Sequence, residues 1–188
     1  LKQHSVAYFV EPVLRHLDRA RFSVMCYSTS EKEDAVSARL KSLASGWRAV
    51  AGLDDAALAK KIRSDGIDVL IETSGVTLGH RLGVMAMRPA PVQVTWCGYP
   101  NTTGLSAVDY RIVDSRTDPA GAEAWCVEKL VRMDPCFLCY SPPAASPEAA
   151  IMQSHDRRHG VTFGSFNAAM KINPRLRFVG GVLQAGHQ

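Results

Sequence analysis

The sequence predicts an α/β fold built on an open sheet. Helical and strand-like periodicities alternate along most of the chain, and short apolar runs stand between the helices. A turn-rich segment, Gly98-Tyr99-Pro100-Asn101-Thr102-Thr103-Gly104, directly follows one of those runs, the position at which open α/β sheets hold ligands. At 188 residues the chain holds one domain and a surplus of a few dozen residues, against roughly 100 to 200 residues per domain.

The elements follow in order. Val6, Phe9, Val10, Val13, Leu14 and Leu17 recur at helical spacing, with Ser5 as the expected N-cap and a kink expected at Pro12. Residues 21–27 read as a strand. Ser30-Glu31-Lys32-Glu33 has the form of a capping box that opens a helix through Val36, Leu40 and Leu43. A short strand over 47–50 precedes a helix capped by Asp54 and carrying Leu58 and Ile62, and Gly66 stops it ahead of the apolar strand 67–71. Residues 80–87 are helical in composition until Pro89 and Pro91, after which Val92, Val94 and Trp96 lie along another strand. Strands are also expected over 110–113, 129–133 and 137–140. A helix at the start of a βα succession calls for a strand before it, so a first strand is expected upstream of Leu1, which is not expected to be the native start.

Ser141-Pro142-Pro143-Ala144-Ala145-Ser146-Pro147 can neither continue a helix nor pair as a strand. It divides the chain into a body over 1–140, a linker over 141–160 and the opening of a second domain over 161–188, with a strand at 161–166 leading to Lys171-Ile172-Asn173-Pro174. Hydrophobic residues make up 46% and charged residues 21%, near globular averages, which argues for a packed core and against disorder. No apolar run reaches the roughly 18 residues of a membrane span, and the chain opens without a secretory pattern. The net charge of +4 arises in the last 38 residues, where Arg157, Arg158, Lys171, Arg175 and Arg177 stand against Asp156. The neutral body offers no broad nucleic-acid face. Five cysteines without a secretory signal point to reduced thiols in a cytoplasmic setting.

Several residues could carry chemistry. His4 would sit at a strand-to-helix junction, where the helix N-terminus favours a neutral ring able to take a proton or bind a hydroxyl; the alternative is a surface histidine near a terminus. Gly75-Val76-Thr77-Leu78-Gly79 could bring backbone amides and the Thr77 hydroxyl to a phosphate or sugar, or be an ordinary strand-to-helix turn. In the 98–104 loop two glycines, a proline and two threonines shape backbone for close approach. Lys171 is placed to hold a phosphate over a βα turn, or to be a solvated lysine. Cys136-Phe137-Leu138-Cys139, followed after fifteen residues by His155 and then His159, mimics zinc-finger spacing. The apolar surroundings and the prolines between favour buried thiols and solvated histidines.

The stretch from Arg88-Pro89-Ala90-Pro91-Val92-Gln93-Val94-Thr95-Trp96-Cys97 through Gly98 to Gly104 closely resembles the O-linked N-acetylglucosamine transferases, including the SPINDLY-like proteins. Gln3-His4-Ser5-Val6-Ala7-Tyr8-Phe9, Asp109-Tyr110-Arg111, Cys136-Phe137-Leu138-Cys139-Tyr140 and Thr162-Phe163-Gly164-Ser165-Phe166-Asn167 resemble the same family in the same order. The resemblance implies the first lobe of a two-lobed GT-B glycosyltransferase, a Rossmann-like doubly wound sheet, with the start of the second lobe. It further implies an inverting transfer of N-acetylglucosamine from UDP-N-acetylglucosamine to Ser or Thr of proteins. No metal or other cofactor is implied, and tetratricopeptide repeats are expected upstream. His4 and Lys171 would be the catalytic residues, the first at the sugar and acceptor and the second on the diphosphate. Gln3, Thr77, Cys97, Gly98, Tyr99 and Pro100 would bind substrate. Some departures stand out. Val76 replaces an expected His or Tyr, Cys97 a usual Leu, and Ala168 and Met170 the Gln and Tyr of animal members; after Pro174 the pattern ceases. Some relatives use GDP-fucose as donor. The competing readings are a non-catalytic α/β binding module or inactive fragment and, from the cysteine spacing, a zinc-stabilised module.

Overall fold

The computed structural model describes residues 4–77, 79–142 and 146. Among the described residues four helices and six strands are arranged in the order α1 (Ser5–His16), β1 (Met25–Ser28), α2 (Ala35–Leu43), β2 (Gly46–Ala49), α3 (Asp55–Ser64), β3 (Val69–Glu72), α4 (Leu82–Ala86), β4 (Val92–Thr95), β5 (Tyr110–Val113) and β6 (Lys129–Arg132), with one 3-10 turn at Ala122–Trp125. Every pairing is parallel. β1 pairs with β2, and the four-stranded sheet runs β3-β4-β5-β6.

Side-chain alternation explains the layers. Cys26 and its register partner Trp47 pack with Ala7 and Leu14 of α1 and Leu40 of α2. Tyr27, the next residue and therefore on the opposite face, packs with Leu70 of β3 against Leu58, Ala59 and Ile62 of α3 and Val84 of α4. Helices therefore cover both faces of the sheet at β1. Leu70 also meets a cluster of Leu82, Met85 and Val108, so α4 bridges the sheet to the turn before β5. Val69 and Ile71 alternate with Leu70 and are 49% and 50% exposed; among the described residues that face of β3 is open. Asp65, the C-cap of α3, ties this layer to the strands through Arg48 and Tyr27 and also pairs with Lys61 of its own helix. The Arg48 guanidinium foremost holds its carboxyl down at about 2.

Several expectations need correction, because a side chain or a backbone carbonyl nearby claims backbone that the pattern assigns elsewhere. The N-cap of α1 is His4, whose Nδ1 accepts the Val6 N–H, and the helix runs through Pro12. The capping-box segment at Ser30 lies in a loop; Asp34 caps α2 by accepting the Ser37 N–H at 2.8 Å. Asp54 caps α3 as expected, accepting from Ala57. The strand expected over 21–27 begins only at Met25, because the Arg21 and Phe22 amides bond the Asp18 carbonyl in a turn. The strand expected over 137–140 is absent: the Phe137 N–H donates to Asp114 Oδ2 and its carbonyl accepts the Trp96 indole N–H. Cys136 and Cys139 are consequently exposed, and all five cysteines are free. The strand expected over 161–166 lies outside the described residues.

Candidate functional site

Parallel strands deliver their carboxyl ends to one edge of the sheet, and the loops leaving β3 and β4 meet there. The β3 loop is folded around Glu72. Its carboxylate accepts the Ser74 N–H and, at 2.7 Å, the Gly75 N–H, while the Thr95 hydroxyl donates from the register-partner position on β4 at 3.4 Å. Burial raises the Glu72 pKa, outweighing these donors. Thr77 closes the turn by donating both its amide and its hydroxyl to the Ser74 carbonyl, and its side chain is exposed.

The β4 loop is threaded against it. A Cβ at Gly98 would lie 1.7 Å from the Thr73 carbonyl oxygen, and one at Gly75 would lie 2.1 Å from the Tyr99 Cβ. Only glycine permits the two backbones to pass this closely. Cys97 adopts φ +60, and its thiol is pushed up to about 12, by burial first and by the neighbouring Glu72 charge second. The far half of the loop is held by Glu128, 3% exposed, which accepts the hydroxyls of Thr102 and Thr103 and the Thr103 N–H. Beneath lies a cavity of about 260 Å³ whose wall includes Trp96, Tyr99, Pro100, Arg111, Asp118 and Phe137. Arg111 is 5% exposed and ion-paired with Asp118.

The structure thus brings Cys97, Gly98, Tyr99 and Pro100 against the turn that carries Thr77. His4 caps α1 and takes no part in the hydrogen bonds that knit these loops. Its helix is nonetheless tied to the same edge: Phe9 meets Tyr140 at 6.1 Å, close in sequence to the Phe137 carbonyl that anchors Trp96. Gln3, Lys171, His155 and His159 lie outside the described residues. Among the described residues no group of three or more His, Cys, Asp or Glu side chains is placed to hold a metal.

Sequence reasoning missed Glu72, Glu128, Arg111 and Asp118. For Glu72 a signal existed, since an ionisable residue closing the apolar run Val69-Leu70-Ile71 stands at a strand's carboxyl end. Part of the 88–104 signature proves to be scaffolding. Gln93 Nε2 donates to the Met85 and Ala107 carbonyls. Arg88, at φ +46, reaches the Ala107 and Pro91 carbonyls and Asp109. Together they fasten α4 to β4 and to the segment before β5.

A parallel, doubly wound lobe with interlocked loops at the carboxyl ends of its strands is the build of a Rossmann-like lobe of a GT-B glycosyltransferase. The profile of glycosyl transferase family 41 matches residues 1–141, and the chain belongs to that family. It is 49% identical over 179 residues to the probable UDP-N-acetylglucosamine–peptide N-acetylglucosaminyltransferase SPINDLY of Arabidopsis thaliana, covering 92% of this chain and 19% of the relative. It is 35% identical over 138 residues to the UDP-N-acetylglucosamine–peptide N-acetylglucosaminyltransferase of Caenorhabditis elegans, covering 72% of this chain and 12% of that protein. A mutant of the Thermobaculum terrenum O-GlcNAc transferase superposes with a TM-score of 0.76 at 43% identity, over 79% of this chain and 29% of that one. The chain therefore spans about a fifth of the SPINDLY relative's length. No helix among the described residues is long and apolar enough to cross a membrane.

Proposed function

We propose that the full-length protein is an inverting protein O-glycosyltransferase that moves N-acetylglucosamine from UDP-N-acetylglucosamine to Ser or Thr hydroxyls of protein acceptors. Residues 1–140 are its N-terminal catalytic lobe, 141–160 a linker and 161–188 the opening of its nucleotide-binding lobe. The observation that carries this reading is the interlocked pair of loops, which presents Thr77 and the Cys97-Gly98-Tyr99-Pro100 turn side by side at the edge where α/β sheets bind ligands. Cys97 is neutral and half-buried, so its part is shape rather than charge.

In this reading the Thr77 and 97–100 loops hold the sugar, and Gln3 and His4 line the sugar and acceptor. Lys171 neutralises the charge that develops on the departing diphosphate, a fixed cation being worth most where charge appears in the transition state. The reaction needs no metal or other cofactor. The protein acts in the cytoplasm on protein substrates, with tetratricopeptide repeats upstream, and engages neither nucleic acid nor membrane.

The test is donor turnover by the full-length protein with a Ser/Thr peptide and radiolabelled UDP-N-acetylglucosamine, run beside GDP-fucose. Transfer from the first donor is expected, and none by residues 1–188 alone. Lys171→Ala should lower full-length turnover by about a hundredfold or more, and His4→Ala by about ten- to a thousandfold. Transfer from GDP-fucose instead reassigns the donor, and turnover of neither leaves a binding module.

A further inference from the structure

The turn at 75–79 has the look of a phosphate cradle, yet its leading amides already hold an anion. The Ser74 and Gly75 N–H groups converge on the two oxygens of Glu72, three residues or fewer back along the same chain. Gly75 at φ +56 turns successive amides toward one point, the geometry by which backbone nests bind anions. The Thr95 hydroxyl completes the ring of donors. No Lys or Arg among the described residues forms an ion pair with Glu72, so its charge is met by dipoles alone. Gly75 is buried with Tyr99 packed onto it, and the Cys97 thiol beside the carboxylate is neutral. A phosphate would meet a nest already filled by a carboxyl group and no room.

We propose that Glu72 is a specificity-determining residue whose carboxylate plugs an anion nest at the carboxyl end of β3 and thereby excludes phosphate from this loop. The loop is left to neutral partners such as sugar hydroxyls or an acceptor backbone, and the donor's diphosphate has to be gripped elsewhere. The identity of the neutral partner rests on the transferase reading; the exclusion itself does not. Substituting the plug by a small neutral residue should convert the loop into a phosphate site, because the amides and the glycine conformation that built the nest remain.

The experiment is a titration of the 188-residue chain with inorganic phosphate across the millimolar range at pH 7, followed through the amide resonances of Ser74 and Gly75. In the wild type neither resonance moves. In Glu72→Ala both shift together and saturate, with an affinity at least about tenfold above the wild type's, as removal of a close like charge demands. Saturable movement in the wild type, or a folded Glu72→Ala that stays silent, would overturn the proposal. Where Glu72→Ala does not fold, Glu72→Ser decides, since it vacates the nest with a small polar side chain and removes the charge. Phosphate affinity above that of the wild type supports the plug, and equal affinity refutes it. None of these readouts uses turnover, so loss of the transferase reading leaves them intact.

Discussion

The β3 and β4 loops are neighbours held by the same device, one carboxylate each, yet the two carboxylates sit in opposite electrostatic condition. At Glu72 burial is the largest influence, and two amides with the Ser74 hydroxyl and a long Thr95 hydroxyl bond do not offset it, so the pKa is raised. At Glu128 burial is again the largest single influence, but two threonine hydroxyls, the Thr103 amide and its own amide together overcome it, and the pKa is lowered. Each carboxylate draws four donors, so the balance between burial and the closeness of those donors decides which effect wins. Glu128 is a firm anchor for the far half of its loop, while Glu72 holds its loop with a charge that the surroundings only partly satisfy.

If that contrast is right, the largest loss follows from removing the firm anchor. Glu128→Ala strands two hydroxyls and an amide that each bonded a charged group, at roughly 1.5 to 3 kcal/mol apiece before relaxation. The expected cost is about 4 kcal/mol, a melting midpoint lower by about 10 °C in a domain of this size. Glu72→Ala should cost about half as much. A scanning-calorimetry result with the order reversed would invert the comparison.

The next effect separates steric interlock from backbone strain within the β4 loop. Gly98→Ala drives a methyl group into the Thr73 carbonyl and should cost about 3 kcal/mol, in the range of overpacking. Gly104→Ala meets open space but keeps φ +71, and should cost about 1 kcal/mol. Urea midpoints measure both, and equal midpoints would mean that the two loops are not pressed together.

The smallest effect is the dependence on pH, and its sign differs between the anchors. Glu72 titrates above its ordinary 4.5 in the folded protein, so the native state binds its proton more readily and this residue's contribution grows as pH falls from neutral toward 4.5. Glu128 titrates below 4.5, so its contribution holds down to that pH and is lost beneath it. The stability difference between wild type and Glu72→Gln should therefore widen on acidification from pH 7. The difference from Glu128→Gln should stay level and then shrink below pH 4.5. Parallel curves for the two variants in chemical denaturation would contradict the assignment of opposite shifts.

Much was legible in the residues alone. The alternation of helices and strands, the caps and stops around α3, the strand at Tyr110–Val113 and the place of the Gly98 loop follow from periodicity, turn chemistry and capping, all of which act over a few residues. The family likeness came from contiguous stretches for the same reason. Three-dimensional packing alone decided that Phe137 gives its backbone to Trp96 and Asp114 instead of a strand. It also decided that Glu128 reaches back about two dozen residues to Thr102 and Thr103. These bonds join groups remote in the chain, and a buried donor or acceptor takes whichever partner the packed core brings within reach. No local pattern encodes that choice, because it is made only once β3, β4 and the segment entering β6 lie side by side.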